Sequence, residues 1–356
     1  MDDLRSQFPV FERLAYLNAG SNGPVPRRAL DAVAESLERQ ATEGRGDKAH
    51  FEENAERIDH LRGRVAAMLG CEASELALTG STTDGVNAAL LALDLGPGDD
   101  VLTSDEEHPG VLAPLAALRE RRGVEARMVP FGRLAAEVRP ETKLVACSHV
   151  SWRTGAVVDA TALAATDALV LLDGAQGLGA VPTEVPELGC DFYAASGQKW
   201  LCGPNGIGYL YARGELAASL PPPWPNYGVL ADSARAFELP LHPDARRFSI
   251  GFPAPHQVEW AIAGLDVLEE AGLDVIHARA RELAALLAER LGARTAARGE
   301  STLVSWEDPD PEAAVARLRE EGFVVRHLPS TPYVRASVGA WNSEDEVERL
   351  AAAASR

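Results

Sequence analysis

The chemistry-bearing residues that stand out first are Lys199 and Asp173. Lys199 lies in Ser196-Gly197-Gln198-Lys199, with Ala194-Ala195 before it, Trp200-Leu201 after it and a Gly/Pro-rich run beyond. Apolar flanks draw the ammonium into a partly dry place. Desolvation there lowers its pKa, and a neutral amine can attack a carbonyl to form a Schiff base. For one such lysine alone, a stem snorkelling at a strand end is the commoner outcome. Asp173 changes the balance. Ala168–Leu172 (ALVLL) reads as a short buried strand and runs straight into Asp173-Gly174-Ala175-Gln176-Gly177. Open α/β sheets bind ligands beyond the C-terminal ends of such strands. A carboxylate in that place can keep an aromatic ring nitrogen protonated, which makes the ring an electron sink. Gln176 carries an amide for a phenolic oxygen on the same ring. Alone, Asp173 could equally be a helix N-cap; the pair is far more specific.

Two further segments belong with this pair. Glu75–Thr79 reads as a strand, followed by Gly80-Ser81-Thr82-Thr83-Asp84-Gly85-Val86-Asn87 and an apolar helix expected over Ala88–Leu95. Hydroxyl residues between a strand and a helix N-terminus form a phosphate cradle, because backbone N–H groups and the helix dipole favour an anion. Simple Ser/Thr capping without a ligand stands as the alternative. The run is neither a Walker A nor a GxGxxG sequence. Asp100–Ser104 is the next strand, and His108 follows it, where an imidazole could lie against a flat ring and assist proton transfer.

Together these segments resemble the fold-type I pyridoxal phosphate (PLP) enzymes of the class V aminotransferase group. That group holds cysteine desulfurases, selenocysteine lyases, carbon–sulfur lyases and isopenicillin N epimerase-like proteins. The resemblance runs from about Tyr16 to the C-terminus. It implies an α/β PLP-transferase fold type I: a large domain over 16–254 with a mainly parallel seven-stranded sheet, and a smaller C-terminal α/β domain over 255–356 joined by 1–15. It implies PLP on Lys199, Asp173 at the ring nitrogen, Gln176 at the ring oxygen and His108 stacked on the ring. Thr82, Thr83, Ser196 and Gln198 hold the phosphate, with Gln198 standing where desulfurases have histidine. Val334-Arg335-Ala336-Ser337 matches a motif whose arginine takes the substrate carboxylate, a role that suits a planar fork. Asn18 and Gly20 match a loop that lines the active site. Trp152 replaces a customary asparagine and is expected to form an apolar wall beside the substrate. Phe252 replaces a threonine that reaches the partner subunit's phosphate, so Arg247 or Ser249 is the expected substitute. A homodimer is implied.

The resemblance also divides the possible reactions. Persulfide-forming desulfurases need a mobile cysteine shortly before the carboxylate-binding arginine, and Arg326-His327-Leu328-Pro329-Ser330-Thr331-Pro332 has none. A carbon–sulfur lyase is therefore favoured over an epimerase or an aminotransferase. A PLP-free scaffold would need neither Lys199 nor Asp173, and a Rossmann protein would need a glycine fingerprint after its first strand.

The elements that must position these residues follow from the rest of the chain. Helices are expected over Arg27–Glu43, roughly Glu52–Leu69, Pro255 to about Ala271, His277–Leu291 and Pro311–Glu321, with a last one from Ser343. Strands are expected over Lys143–Cys147, Tyr209–Ala212, Ser301–Trp306, Phe323–His327 and Tyr333–Ser337. Alternating strands and helices call for parallel pairing through right-handed crossovers. With 356 residues, 46% of them hydrophobic, the chain can bury a large core. A net charge of −19 argues against nucleic acid or an anionic membrane as partner. No apolar run reaches membrane-spanning length, and Met1-Asp2-Asp3 is acidic where a signal peptide is basic, so a cytoplasmic enzyme is expected. Cys71, Cys147, Cys190 and Cys202 lack metal-ligand spacing and read as buried thiols.

Overall fold

The structure, a computed structural model, describes residues 2–356. In chain order its strands are β1 (Ala15–Tyr16), β2 (Leu76–Thr79), β3 (Asp100–Ser104), β4 (Glu125–Val129), β5 (Thr142–Ser148) and β6 (Leu169–Asp173). They continue as β7 (Phe192–Ser196), β8 (Gly208–Ala212), β9 (Leu303–Glu307), β10 (Phe323–Val324), β11 (Arg326–His327) and β12 (Tyr333–Ser337). The helices begin with α1 (Asp2–Ser6), α2 (Arg27–Glu43), α3 (Lys48–Met68), α4 (Thr82–Ala92) and α5 (Pro109–Arg122). Three short ones follow, α6 (Ala160–Ala164), α7 (Val185–Leu188) and α8 (Gly214–Ser219). The last four are α9 (Pro255–Ala271), α10 (Leu273–Leu291), α11 (Pro311–Glu320) and α12 (Glu344–Ala354). Among the described residues, no helix is long and apolar enough to cross a membrane.

The central sheet has seven strands in the order β2-β8-β7-β6-β5-β3-β4, and β8 alone runs against its neighbours. The expected mainly parallel sheet is therefore present. Its strands are apolar at successive positions because both faces are covered. Leu171, Phe192 and Ala194 face the layer built with Val86, Ala89 and Leu115 of α4 and α5. Their neighbours Leu172, Tyr193 and Ala195 face the layer built with Leu61 and Val65 of α3 and Val258 and Leu265 of α9. This period of two fixes which way each strand-end residue points. Strands β3, β5, β6 and β7 are parallel, so Ser104, Ser148, Asp173 and Ser196 all finish at one edge. The segments that leave this edge carry His108, Trp152, Asp173 and Lys199.

A second core, with Leu283, Leu287, Val304, Trp306, Leu318, Val334 and Leu350, lies under the antiparallel sheet β11-β12-β9. The N-terminal segment is sewn into it. Strand β1 pairs in parallel with β10, and Asn18 bridges to Ser337. Two expectations need correcting. The helix expected from Ala88 begins at Thr82, because Ser81 caps it by accepting from the Asp84 N–H at 3.1 Å. The strand expected over Phe323–His327 splits at Val325, since β10 pairs with β1 while β11 pairs with β12.

Candidate active site

Ten of the expected residues converge on one cavity of about 280 Å³: Thr82, Thr83, His108, Trp152, Asp173, Gln176, Ser196, Gln198, Lys199 and Arg335. Gly20, Ser21, Asn22, Ser81, Ala175 and Arg326 complete its lining. Asn18 does not line it. Its Oδ1 accepts from the hydroxyl of Ser21, which does line the cavity, at 2.9 Å.

The lysine turn is shaped by close backbone packing. The Gly23 N–H donates to the Gln198 carbonyl at 2.7 Å, and a Cβ on Gly23 would fall 2.0 Å from the Lys199 carbonyl oxygen. Only glycine lets the loop Asn18–Pro24 press against the lysine. Gly20 meets the same limit, because a Cβ there would lie 2.8 Å from Gln176 Oε1 and 3.2 Å from Arg335 Nη2. The Gln176 amide donates to the Gly20 carbonyl at 2.8 Å and accepts from Trp200 Nε1 at 3.1 Å, which leaves one Nε2 hydrogen for a further acceptor. Cys202 packs in the core rather than on the cavity.

The electrostatics follow from burial. Desolvation brings the Lys199 ammonium down from 10.5 to about 8; Asp173 opposes this, while Arg335 and Arg326 add to it. At pH 7 about one amine in ten is then neutral, against about one in 3,000 at the ordinary value. Burial pushes the Asp173 carboxyl up, opposed by Lys199 and by the Ala175 N–H, which donates to Oδ1 at 2.9 Å. The His108 ring is brought down to about 4 by burial and then by Lys199, Arg326 and Arg335, so it is neutral near pH 7. Its Nδ1 accepts from the Gly110 N–H at 3.0 Å, which puts the ring proton on Nε2. Trp152 stands edge-on to it, with ring centroids 5.1 Å apart. Glu107 is buried between the Ser104 and Ser148 hydroxyls, at 2.5 and 2.6 Å, and burial lifts its carboxyl to about 7. It braces the ends of β3 and β5 beneath His108.

Arg335 is 1% exposed, and burial followed by Arg326 brings its guanidinium down to about 9. Nη1 donates to the Trp152 carbonyl at 2.8 Å; Nε and Nη2 have no partner among the described residues. A buried guanidinium with two idle donors is a demand for an anion. Arg326, which the sequence reading passed over, lies directly opposite Arg335 in the antiparallel pairing of β11 and β12. Like charges opposite one another destabilise a sheet, so this pair is costly until an anion joins it. The register supplied that signal, and register is not written in the chain.

The family model described as Aminotransferase class-V matches residues 15–350. The chain belongs to the class V aminotransferases. Among relatives of this family, the probable cysteine desulfurase 2 of Mycobacterium leprae is 31% identical and covers 98% of this chain and 94% of its own length. A cysteine desulfurase of Escherichia coli O127:H6 is 30% identical, with 98% of this chain and 96% of that protein covered. Among solved structures, a lysine-to-alanine mutant of C-DES with glycine linked to its PLP cofactor superposes with a TM-score of 0.92 at 26% identity, covering 98% of both chains. The cystine C-S lyase C-DES with its product cysteine persulfide gives 0.91 at 26% identity, covering 97% of this chain and 98% of that one.

Class V aminotransferases are PLP-dependent enzymes, and the residues here fit that cofactor. The Thr82 and Ser196 hydroxyl oxygens are buried without partners beside the N-terminus of α4, which suits a phosphate. The Asp173 carboxylate and the Lys199 amine face the same space. The Arg247 guanidinium, one expected substitute for the threonine that Phe252 replaces, donates to the carbonyls of Ala218, Leu220 and His242. Ser249 and Phe252 line a different depression, of about 290 Å³. The lowered lysine gives a test. Uptake of PLP by the empty protein should quicken about tenfold per pH unit up to about pH 8 and then level off, because only the neutral amine attacks. Stopped-flow absorbance across pH 6–10 checks this, and a rate that still climbs above pH 9 contradicts it.

Proposed function

We propose that the protein is a PLP-dependent carbon–sulfur lyase whose substrate is a cysteine-derived amino acid with a second carboxylate, cystine being the simplest. The observation that carries this is the facing pair Arg326 and Arg335. Neither forms an ion pair among the described residues, and both line the cavity. One carboxylate satisfies Arg335, and a second at the far end of a disulfide satisfies Arg326. The curated relatives named as cysteine desulfurases and the cystine lyase C-DES support the class of substrate.

When bound, PLP supplies an electron sink next to the substrate's α-carbon. The chain's own residues do the rest. Arg335 holds the α-carboxylate through Nε and Nη2. Neutral Lys199 takes the α-proton on Nζ, and the C–S bond breaks with its electron pair leaving on sulfur. Asp173, facing the same space as Lys199, would hold the ring nitrogen of the bound cofactor. His108, neutral with its proton on Nε2, adds no charge beside the ring. Trp152 narrows the space and keeps water from it. The β11–β12 connection, 328–332, has no cysteine, so the sulfur departs with the product rather than on the protein.

We also propose a homodimer in a cytoplasmic setting. Tyr227, Phe237, Leu239, Ile250 and Phe252 are exposed large hydrophobic residues within one segment, a surface that suits burial against a second copy. All four cysteines are free thiols. Incubation with cystine should yield pyruvate, ammonia and cysteine persulfide without an added thiol acceptor. Plain L-amino acids in heavy water serve as the parallel arm. Racemisation there, with no pyruvate from cystine or S-substituted cysteines, overturns the lyase in favour of an epimerase.

A further inference from the structure

Between Val150 and Val157, which pair as an antiparallel bridge, the chain leaves the central sheet as a short strap, Ser151–Ala156. One side of this strap is held entirely by the C-terminal unit. Arg335 Nη1 donates to the Trp152 carbonyl at 2.8 Å and Ser305 Oγ to the Arg153 carbonyl at 2.5 Å. The Gly155 carbonyl accepts from Ser301 Oγ at 2.7 Å and from the Gly299 N–H at 3.1 Å. Gly155 itself has φ +81, and a Cβ on it would lie 2.8 Å from the Leu303 carbonyl oxygen, so the strap lies flush on β9.

The other side is held mainly by one carboxylate. Glu106, just past β3, accepts on Oε2 from both the Ser151 hydroxyl and the Thr154 hydroxyl, the latter at 2.6 Å. Ser151 Oγ in turn accepts from the N–H groups of Arg153 and Thr154, each at 3.2 Å, which closes the turn around Trp152. Arg153 adds a bond from Nη1 to the Asp105 carbonyl at 2.8 Å. Glu106 thus ends a chain of contacts that runs through Ser151 and Thr154 to the Trp152 carbonyl, and from there to the Arg335 guanidinium.

We infer that Glu106 is a positioning residue for substrate carboxylate recognition: it fixes the strap whose Trp152 carbonyl aims the Arg335 fork. This rests on the proposed reading of Arg335 as the carboxylate site. The strap touches the arginine side of the cavity, whereas Asp173 ends β6 and Lys199 follows β7 in a turn packed by the loop Asn18–Pro24. Losing Glu106 therefore weakens the grip on a carboxylate and leaves the amine chemistry at Lys199 intact.

The test uses the PLP-loaded full chain and two amines, glycine with a carboxylate and methylamine without one, each titrated by the change in the cofactor's visible absorbance. In Glu106→Ala, glycine should bind more weakly by roughly 10- to 100-fold, while methylamine changes by less than about twofold. Glu106→Gln keeps an oxygen for both hydroxyls and should restore glycine binding to within about threefold. Should Glu106→Ala fail to fold, Thr154→Val removes one of the two contacts and carries the same comparison with a smaller effect. Equal weakening of both amines, or undiminished glycine binding, overturns the inference. A wild-type chain that takes up no PLP overturns the cofactor reading beneath it, and the inference falls with it.

Discussion

Replacing Lys199 by alanine should abolish turnover, with a loss of at least about 10⁴-fold, while leaving PLP bound without a covalent link. The wild-type protein should be yellow, and borohydride should remove the band by reducing the bond to Lys199. In the alanine variant borohydride reduces the untethered aldehyde as well, but the reduced cofactor should wash out on dialysis, whereas in the wild type it should stay attached to Lys199. Lys199 removes and returns the α-proton as well as anchoring the cofactor, so both the attachment and the proton transfer go together. The fold should survive. Trp200 and Leu201 are buried in the core beside it, and Lys199 makes no ion pair among the described residues. A variant that keeps even one-tenth of the activity would show that another group moves the proton.

Arg335 should give the second largest effect, and with an opposite sign in stability. In the empty protein its Nε and Nη2 are buried without partners, and the like-charged Arg326 lies opposite. Removing a buried charge whose donors are idle relieves the empty fold. Arg335→Leu should therefore leave the melting temperature of the cofactor-free protein unchanged or higher. Catalysis should suffer, with kcat/KM falling by about 10² to 10³, mostly through KM, because a desolvated charge pair with substrate is lost. Arg335→Lys should recover little, since a point charge cannot take a carboxylate on two parallel N–H bonds. A lower melting temperature together with an intact KM would mean that the arginine serves packing and not substrate.

Sequence reading went furthest where a local signal fixed both position and direction. The strands Asp100–Ser104 and Tyr333–Ser337 and the helices Arg27–Glu43 and Pro255–Ala271 were legible residue by residue from apolar period, capping and turn residues. Lys199, Asp173, Thr82 and His108 were legible because each stands at the junction of a buried run with a turn. What escaped depended on pairing partners far away in the chain. Strand β4 (EARMV) lies at the sheet edge with mixed exposure, so its pattern is weak. Helix α4 starts six residues before its apolar run, because a cap and not hydrophobicity sets its first turn. Val325 divides two strands that belong to different sheets, and nothing in Phe323–His327 announces that division. Arg326 was missed for the same reason: its meaning lies in facing Arg335. Of the Asn18 loop, it is Gly20, Ser21 and Asn22 that line the cavity, and loop composition does not say which neighbour takes the inner place. Glu106 carries no motif at all, and its role is visible only once β3, the strap and the C-terminal sheet are seen together.

The N-terminal segment has a consequence for how the molecule is made. Arg5 reaches Glu346 across a sequence separation of 341 residues and also bonds the Trp341 carbonyl, and Phe8 packs on Trp341 with centroids 5.2 Å apart. Further along, Ala15–Tyr16 pairs with Phe323–Val324, and Gly23 closes on Gln198. Chains emerge from the ribosome N-terminus first, and domains generally fold as they appear. Here part of the surface that holds the first two dozen residues, Glu346 and Trp341 for Arg5 and Phe8 and β10 for β1, belongs to the C-terminal unit and is translated late. Contacts between segments so far apart in the chain carry a high loop-closure cost and favour late docking of Arg5, Phe8 and β1. The cavity beside the lysine therefore takes one of its walls, Arg326 and Arg335, from a unit made long after Lys199 itself, and the N-terminal segment ties the two together.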